Sequence, residues 1–390
     1  MSPFLIGNNN LNIQNNTYQN QYGKKNNFIN NSKKGHKKLI NDFKNPPLIG
    51  LFNISSTCYM NAPLQCLSNI KPLTDYFLTN KELYLEIPKY SEEKKIAKAY
   101  SDVIYNLWDE NNNKKEFNPS YFIEILNKED KRFEAFKAND AKDFILFLYS
   151  KMHKELNRKN KNEQVEEFKS NETDPEVEYY KCKNHFESRN KSIISDTFYF
   201  DQVKIKKCLK CKTLIYKFSM YNILLFPLES VRLFKQKDKT VNVNIFDCFE
   251  YYTNYKKENE QNYCNKCQEN TDHDVSHKIS TYPKILTIIL NRGNNLEFSV
   301  GFQITYLLED LDKYMIKLES NKNQKNIRYE LIGIVIHEGK SGEEGHFLTY
   351  CKSPVDKKWY SYNDSRVKYL KEPLEAIKGI PYLLFYQKIK

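Results

Sequence analysis

The stretch Gly50 to Leu67 reads GLFNISSTCYMNAPLQCL, and its character changes halfway along. Gly50 to Thr57 is rich in turn formers, whereas the residues from Cys58 onward are compatible with a helix, so the pattern predicts a helix that begins around Cys58. A cysteine at that point stands at a helix N-terminus, where the exposed backbone amides carry partial positive charge and stabilise a thiolate. That is the condition for a nucleophile. Cys66, in the same stretch, illustrates the ordinary alternative of a small buried apolar residue. Pro63 removes a backbone donor inside the expected helix and predicts a kink or a delayed helix start.

A thiolate nucleophile needs an imidazole to take up and return the proton, and a group that fixes the imidazole's tautomer. Far along the chain, GHFLTYCKSPVDKKWYSYNDSRV (Gly345 to Val367) offers both in His346 and Asn363. The histidine heads one strand and the asparagine begins a turn after the next. A hairpin of Phe347 to Cys351 with Lys358 to Tyr362 then brings the two together. His153 and His185, read as lying on a helix and in a loop without partner residues nearby, look structural.

Taken together, Gly50, Leu51, Asn53, Thr57, Cys58, Tyr59, Met60 and Asn61, with Tyr329, Leu331, His337, Gly339, Gly345, His346, Trp359, Tyr360, Asn363 and Asp364, resemble the two signature boxes of the ubiquitin-specific proteases. The resemblance implies a cysteine-type deubiquitinase of the papain-like class. It implies an α+β right hand with a helical thumb near residues 48–160, zinc-bearing fingers near 195–285, and a palm near 160–195 and 285–390. By the same resemblance, Cys58 attacks the carbonyl of ubiquitin's terminal glycine and His346 is its acid and base. Asn363 orients His346, with Asp364 as the competing or supporting residue, and Asn53 helps to hold the oxyanion. Asn139, Asp140, Ala141 and Asp143 resemble the family's Gln-Asp-Ala-x-Glu-Phe motif, whose acids hold the basic tail of ubiquitin. Asp140 and Asp143 share a helix face, although capping alone also favours acids in a first turn. Ser55 departs from the family, which has glycine there, and carries a conformational cost if that position requires positive φ.

Two Cys-x-x-Cys pairs, Cys208 with Cys211 and Cys264 with Cys267, can each present two thiolates from one tight turn. Together they complete a tetrahedral four-cysteine site for one structural zinc, which fits the fingers that the resemblance implies. A redox pair needs only one such motif. Cys182 with His185 is read as incidental.

The rest of the chain agrees with an enzyme of this size. Its 390 residues suffice for a large core, and no run of about 18 apolar residues marks a membrane span. With nine cysteines and no pattern of a secretory leader, the expectation is an intracellular protein, cytoplasmic or nuclear, with reduced thiols. The net charge of +12 is concentrated at the start, where residues 1–47 hold seven lysines against Asp42 alone. That argues for a basic tail rather than a nucleic-acid-binding face. Residues 1–46, dominated by asparagine, glutamine, lysine and glycine, are expected to be disordered, and Lys33, Lys34, Lys37 and Lys38 are read as a solvated run within them.

Past Pro47, Ala141, Ile145, Leu148, Met152 and Leu156 mark one face of a helix over Asn139–Leu156. Asn157 to Tyr180 reads as a charged loop. Strands are expected at Thr197–Lys206, Tyr221–Leu228, Ile285–Leu290, Tyr329–His337, Phe347–Cys351 and Tyr382–Gln387. Three other readings are open: a catalytically impaired ubiquitin-binding relative, a protease for a ubiquitin-like modifier, and a zinc-ribbon nucleic-acid protein in which Cys58 and His346 are coincidental.

Overall fold

The computed structural model describes residues 38–80, 95–110, 114–134, 139–159, 173–238, 240–292, 300–339, 345–371 and 379–389. Its framework is one large sheet. In spatial order the strands are Arg366–Leu370, Trp359–Asn363, His346–Lys352, Tyr329–Glu338, Ile380–Lys388, Ile285–Asn291 and Leu224–Pro227, with Leu307–Leu308 paired alongside Tyr329–Glu338. Neighbours run antiparallel except the last pair, Ile285–Asn291 with Leu224–Pro227, which is parallel. The central strands read as near-continuous apolar runs because both of their faces are covered: LIGIVI and LLFY are buried almost throughout. This is the pattern expected of a sheet with no solvent face.

One face is covered by the helices Cys58–Ser68, Lys71–Thr79, Lys95–Leu107, Ser120–Glu129 and Ala141–Glu155, which share a core with Ile285, Ile289, Val335, Cys351 and Phe385. The helix at Ala141–Glu155 buries Ala141, Ile145, Leu148 and Met152, as their spacing predicts, with Asp140 as its N-cap. A second core on the other face gathers Leu286, Ile288, Ile334, Leu384 and Tyr386 with Leu228, Val231, Ile245 and Phe249. A smaller four-stranded antiparallel sheet, ordered Leu214–Tyr221, Phe200–Cys208, His273–Ile279 and Lys256–Lys257, forms the extension expected of fingers.

Several expectations need correction. The disordered tail does not reach residue 46: Ile40 is fully buried, its N–H donates to Asp75 Oδ1, and Phe43 packs edge-on against Trp108 at 5.1 Å. Two apolar anchors outweigh the polar composition around them; residues 1–37, including Lys33, Lys34 and Lys37, lie outside the described residues. The loop read over Asn157–Tyr180 gives way to a helix at Pro175–Arg189, capped by Asp174. Only Tyr179 and Cys182 supply its buried apolar contact, too few to register as a periodic stripe. His185 therefore lies on a helix and meets Arg189 Nη1 at 3.2 Å, while His153 meets Ser192 Oγ at 2.8 Å and Asn190 Oδ1 at 3.1 Å. Thr197 lies in a short helix, Ile193–Phe198, before the strand starts at Phe200. The strand read over Tyr221–Leu228 is split, since Tyr221 ends a fingers strand and Leu224 begins a strand of the large sheet. The segment between the two cysteine pairs therefore returns to the palm instead of staying in the fingers.

Candidate active site

The loop before Cys58 is held by its own side chains. Asn53 Oδ1 accepts from the Thr57 amide at 3.0 Å and the Thr57 hydroxyl at 3.2 Å, while Thr57 Oγ1 accepts from the Ile54 amide at 3.0 Å. This ring of bonds forces a tight turn in which Ser55 has φ 65°. The position is left-handed, where a side chain is unfavourable and glycine is not. The helix starts at Cys58 and runs through Pro63, so the expected delay does not occur. As the first helical residue, Cys58 keeps a backbone N–H with no intrahelical acceptor. The residue is 9% exposed.

His346 opens its strand as expected, and the next strand pairs with it through Thr349 opposite Tyr362 and Tyr350 opposite Ser361. Asn363 and Arg366 are then cross-strand partners closing a two-residue turn, with Asp364 at φ 50°. The result places His346 Nε2 at 2.8 Å from Asn363 Oδ1 and at 3.7 Å from Asp364 Oδ2. An amide oxygen only accepts, so Nε2 carries the hydrogen and Nδ1 is left for the thiol. The His346 pKa is raised to about 9, chiefly by its side-chain hydrogen bond with Cys58, which outweighs burial and is helped by Asn363 and the Asp364 charge.

Asp364 has a different set of contacts. Its Oδ2 accepts from Asn53 Nδ2 at 2.9 Å, its Oδ1 from Asn61 Nδ2 at 2.8 Å, and its backbone carbonyl from the Leu51 amide at 2.9 Å. One carboxylate therefore ties the hairpin of His346 to the loop and helix of Cys58. Gly50 permits this approach, because a Cβ there would fall 2.4 Å from the Ser365 carbonyl oxygen. Gly345 does the same beside His337, whose ring would lie 2.4 Å from an added Cβ.

Asp140 caps its helix by accepting from the Lys142 amide at 2.7 Å, and its other oxygen accepts from the Tyr382 hydroxyl at 2.6 Å. Asp143 lies half-buried in the first turn of the same helix. Tyr382 escaped the sequence reading except as part of a strand. No local signal marks it, since its partner is 242 residues away.

The four paired cysteines converge. Cys208 ends one strand of a fingers hairpin, Cys264 ends another, and the sulfurs of Cys208, Cys211, Cys264 and Cys267 all lie within 4.8 Å of one another. Zinc–sulfur bonds of about 2.3 Å in a tetrahedron set sulfurs about 3.8 Å apart. Cys208 and Cys267 are 3.9 Å apart and Cys211 and Cys264 3.6 Å apart, so the donor set fits a tetrahedral thiophilic metal. Burial opposes ionisation of Cys208, but the Cys211 and Lys210 amides and the Thr271 hydroxyl draw its pKa down to about 5. Burial and bonds from the other three sulfurs push Cys267 up to about 12. Thiols this close titrate against one another, and a divalent cation among them removes the conflict. Cys182 and His185 join no such group among the described residues.

The family model described as ubiquitin carboxyl-terminal hydrolase matches residues 49–386. This chain belongs to that family. Among curated hydrolases of the family, ubiquitin carboxyl-terminal hydrolase 21 of Homo sapiens is 27% identical over 364 residues, covering 87% of this chain and 61% of the relative. Ubiquitin carboxyl-terminal hydrolase 2 of Bos taurus is 27% identical over 352 residues, covering 87% of this chain and 55% of the relative. The chain thus spans little more than half the length of these hydrolases. Among solved structures, the SAGA Ubp8/Sgf11/Sus1/Sgf73 DUB module bound to ubiquitin aldehyde contains a chain that superposes with TM-score 0.65 at 21% identity, covering 89% of this chain and 70% of that one. A variant of that module bound to monoubiquitin gives TM-score 0.66 at 20% identity, with 98% and 76% covered. The expected α+β hydrolase fold, with thumb, palm and cysteine-bearing fingers, is the fold observed.

Proposed function

We propose that this chain is a cysteine-type deubiquitinase, hydrolysing the isopeptide or peptide bond that follows the C-terminal glycine of ubiquitin. The observation that carries the proposal is His346, held by Asn363 Oδ1 at 2.8 Å and near enough to Cys58 for that residue to be the chief influence raising its pKa. A buried thiol with no catalytic task has no use for an oriented imidazole. The family and the relatives' name support hydrolysis at ubiquitin's carboxyl terminus, and a fold neighbour bound to ubiquitin aldehyde supports ubiquitin as the modifier.

In the proposed reaction His346 takes the Cys58 proton and the thiolate attacks the glycine carbonyl carbon. The tetrahedral oxyanion is received by the Cys58 backbone N–H and the Asn53 amide. One Asn53 N–H already donates to Asp364, which leaves the other for the substrate. Each such donor is worth about 3 to 4 kcal/mol in the transition state. Imidazolium His346 then protonates the departing lysine amine. It next removes a proton from water, which attacks the thioester carbonyl and releases the carboxylate and the Cys58 sulfur. Asn363 keeps the ring in register through both steps. Asp140 and Asp143, at the head of one helix, are the proposed contacts for the basic tail of ubiquitin. Cys208, Cys211, Cys264 and Cys267 would hold a zinc ion, which would supply a structural cross-link and no step of the reaction. No described helix is long and apolar enough to cross a membrane. The free thiols favour a reducing compartment, so we assign the chain to the cell interior.

The decisive experiment exposes the protein to ubiquitin carrying a C-terminal electrophile and locates the adduct by mass spectrometry. Modification confined to Cys58 is expected. Folded, zinc-loaded protein that forms no adduct while still binding ubiquitin favours the impaired relative, a reading supported by Ser55 in its left-handed conformation. An adduct formed solely with a ubiquitin-like modifier changes the substrate but not the chemistry.

A further inference from the structure

Beneath the nucleophile lies a buried polar junction that the reaction does not use. Thr349 is fully buried and donates its hydroxyl hydrogen to the Ile334 carbonyl at 2.7 Å. With that hydrogen engaged, the 2.8 Å contact between Thr349 Oγ1 and Cys66 Sγ has the cysteine as donor. The Cys351 thiol in turn donates to Cys66 Sγ at 3.5 Å. Burial holds the Cys66 thiol well above its ordinary pKa, so it remains a donor. Three hydrogens thus run in one direction, from Cys351 through Cys66 and Thr349 to the sheet backbone. Gly333 makes room for the sulfur: a Cβ there would come within 3.1 Å of Cys66 Sγ.

The placement of the junction gives it a role. Cys66 lies on the helix that begins with Cys58, about 12 Å further along its axis, and Thr349 lies on the strand that begins with His346, about 10 Å further along. Both elements are stiff and in contact, so the point where they are bonded fixes how their starting residues meet. A sliding helix would leave the buried Cys66 thiol without its acceptor and the Thr349 oxygen without the hydrogen it accepts, although Thr349 keeps its own bond to Ile334, and apolar packing alone would not penalise that loss. We infer that Thr349 is a positioning residue, whose bond to Cys66 sets the helix carrying the nucleophile in register against the strand carrying the base. The inference rests on the proposed reaction for its purpose but not for its geometry.

The test compares the wild type with Thr349→Val, which removes the hydroxyl, and Thr349→Ser, which keeps it. The first readout is alkylation of Cys58 by iodoacetamide, located by mass spectrometry, at a temperature where every variant is folded. The second is kcat and KM for a ubiquitin C-terminal amide, per site titrated by the electrophilic ubiquitin. Misplacement of reacting groups by a fraction of an ångström is expected to slow alkylation and kcat about tenfold in Thr349→Val, while Thr349→Ser stays within about threefold and KM within about twofold. Loss of stability alone reduces the number of titrated sites without changing these rates. Should Thr349→Val not fold, Cys66→Ala, which leaves the Thr349 bond to Ile334 intact, is expected to show the same slowing. Wild-type rates in the folded Val or Ala variant overturn the inference, as does equal slowing in Val and Ser, which assigns the effect to packing. If no variant cleaves ubiquitin but alkylation still follows the hydroxyl, the positioning role stands and the proposed substrate falls.

Discussion

Asn363 and Asp364 are adjacent, both are polar, and the geometry gives them separable tasks that a pair of alanine variants can distinguish. Asn363→Ala removes the 2.8 Å acceptor of His346 Nε2 from an exposed side chain. Little else touches it, so the loss of stability is expected within about 1 kcal/mol. The imidazole, however, loses the group that selects its tautomer, a defect that costs up to about 10⁴ in kcat when it occurs in a Ser-His-Asp triad. Asp364 Oδ2 at 3.7 Å can approach as a substitute acceptor, so we expect a fall of about 100-fold, well below that limit. Asp364→Ala removes the carboxylate acceptor of two amides, and Asn61, which is 2% exposed and cannot turn to water, keeps a 3.4 Å bond to the Phe52 carbonyl. Hydrogen bonds to a charged group contribute about 1.5–3 kcal/mol each, and the two are coupled, so about 3–5 kcal/mol is expected. Its rate effect is smaller, near tenfold per folded molecule, because Asn53 remains held through Thr57. Hydrolysis of a fluorogenic ubiquitin amide per titrated site, beside denaturant midpoints, reads both quantities. A folded Asp364→Ala enzyme that is slower than Asn363→Ala, with an unchanged midpoint, would refute the assignment.

Three other outcomes follow from the site. Ser55→Gly relieves a left-handed residue, a conformation that costs a non-glycine residue about 1–2 kcal/mol, against about 0.4–1 kcal/mol of added freedom in the unfolded chain. A higher denaturant midpoint with undiminished turnover is therefore expected, and a lower midpoint contradicts the strain argument. Because the folded pKa of His346 is raised to about 9, its contribution to stability is fully present below its unfolded value near 6.5 and is lost as pH rises through 9. With the side chain 33% exposed, solvent screening reduces the effect to about 1 kcal/mol. The midpoint difference between wild type and His346→Gln should shrink between pH 6 and pH 10, and a difference that grows reverses the sign of the coupling. Cys208→Ser should lose about one zinc per chain by elemental analysis and unfold at lower denaturant. Retention of full zinc excludes the proposed ligand set.

What the sequence disclosed about this site was local in the chain or repeated in spacing. Thr57 and Cys58 can be read as a helix start because the residues that build the turn precede them directly. His346 and Asn363 are 17 residues apart and joined by a hairpin whose register follows from alternation. Each cysteine pair spans one tight turn. What escaped reading depends on strand order, which periodicity does not encode. The contacts of Tyr382 with Asp140 and of Thr349 with Cys66 link positions 242 and 283 residues apart. The helix at Pro175–Arg189 went unread because two apolar residues make no stripe, and Ile40 and Phe43 because two anchors do not alter a composition.

Strand order also explains why the site depends on residues so far from its motifs. Ile380–Lys388 lies between Tyr329–Glu338 and Ile285–Asn291, and its inward side chains contribute to both cores. Until that strand pairs, the two halves of the large sheet have no common ladder. The hairpin bearing His346 and Asn363 is then related to the helix at Ala141–Glu155 through Cys58–Ser68, which packs against both, but without the bond from Tyr382 to Asp140. The signature residues supply the proposed chemistry, and a strand with no signature of its own brings the proposed tail-binding acid and the proposed catalytic histidine into one frame. Strain and close approach collect along the same seam: Ser55 and Asp364 in left-handed conformations, Gly50 against Ser365, Gly345 against His337. Gly50 against Ser365 is where the loop before Cys58 meets the hairpin after His346, and Gly345 against His337 lies within the palm, so adding a side chain at either glycine should cost rate and stability together.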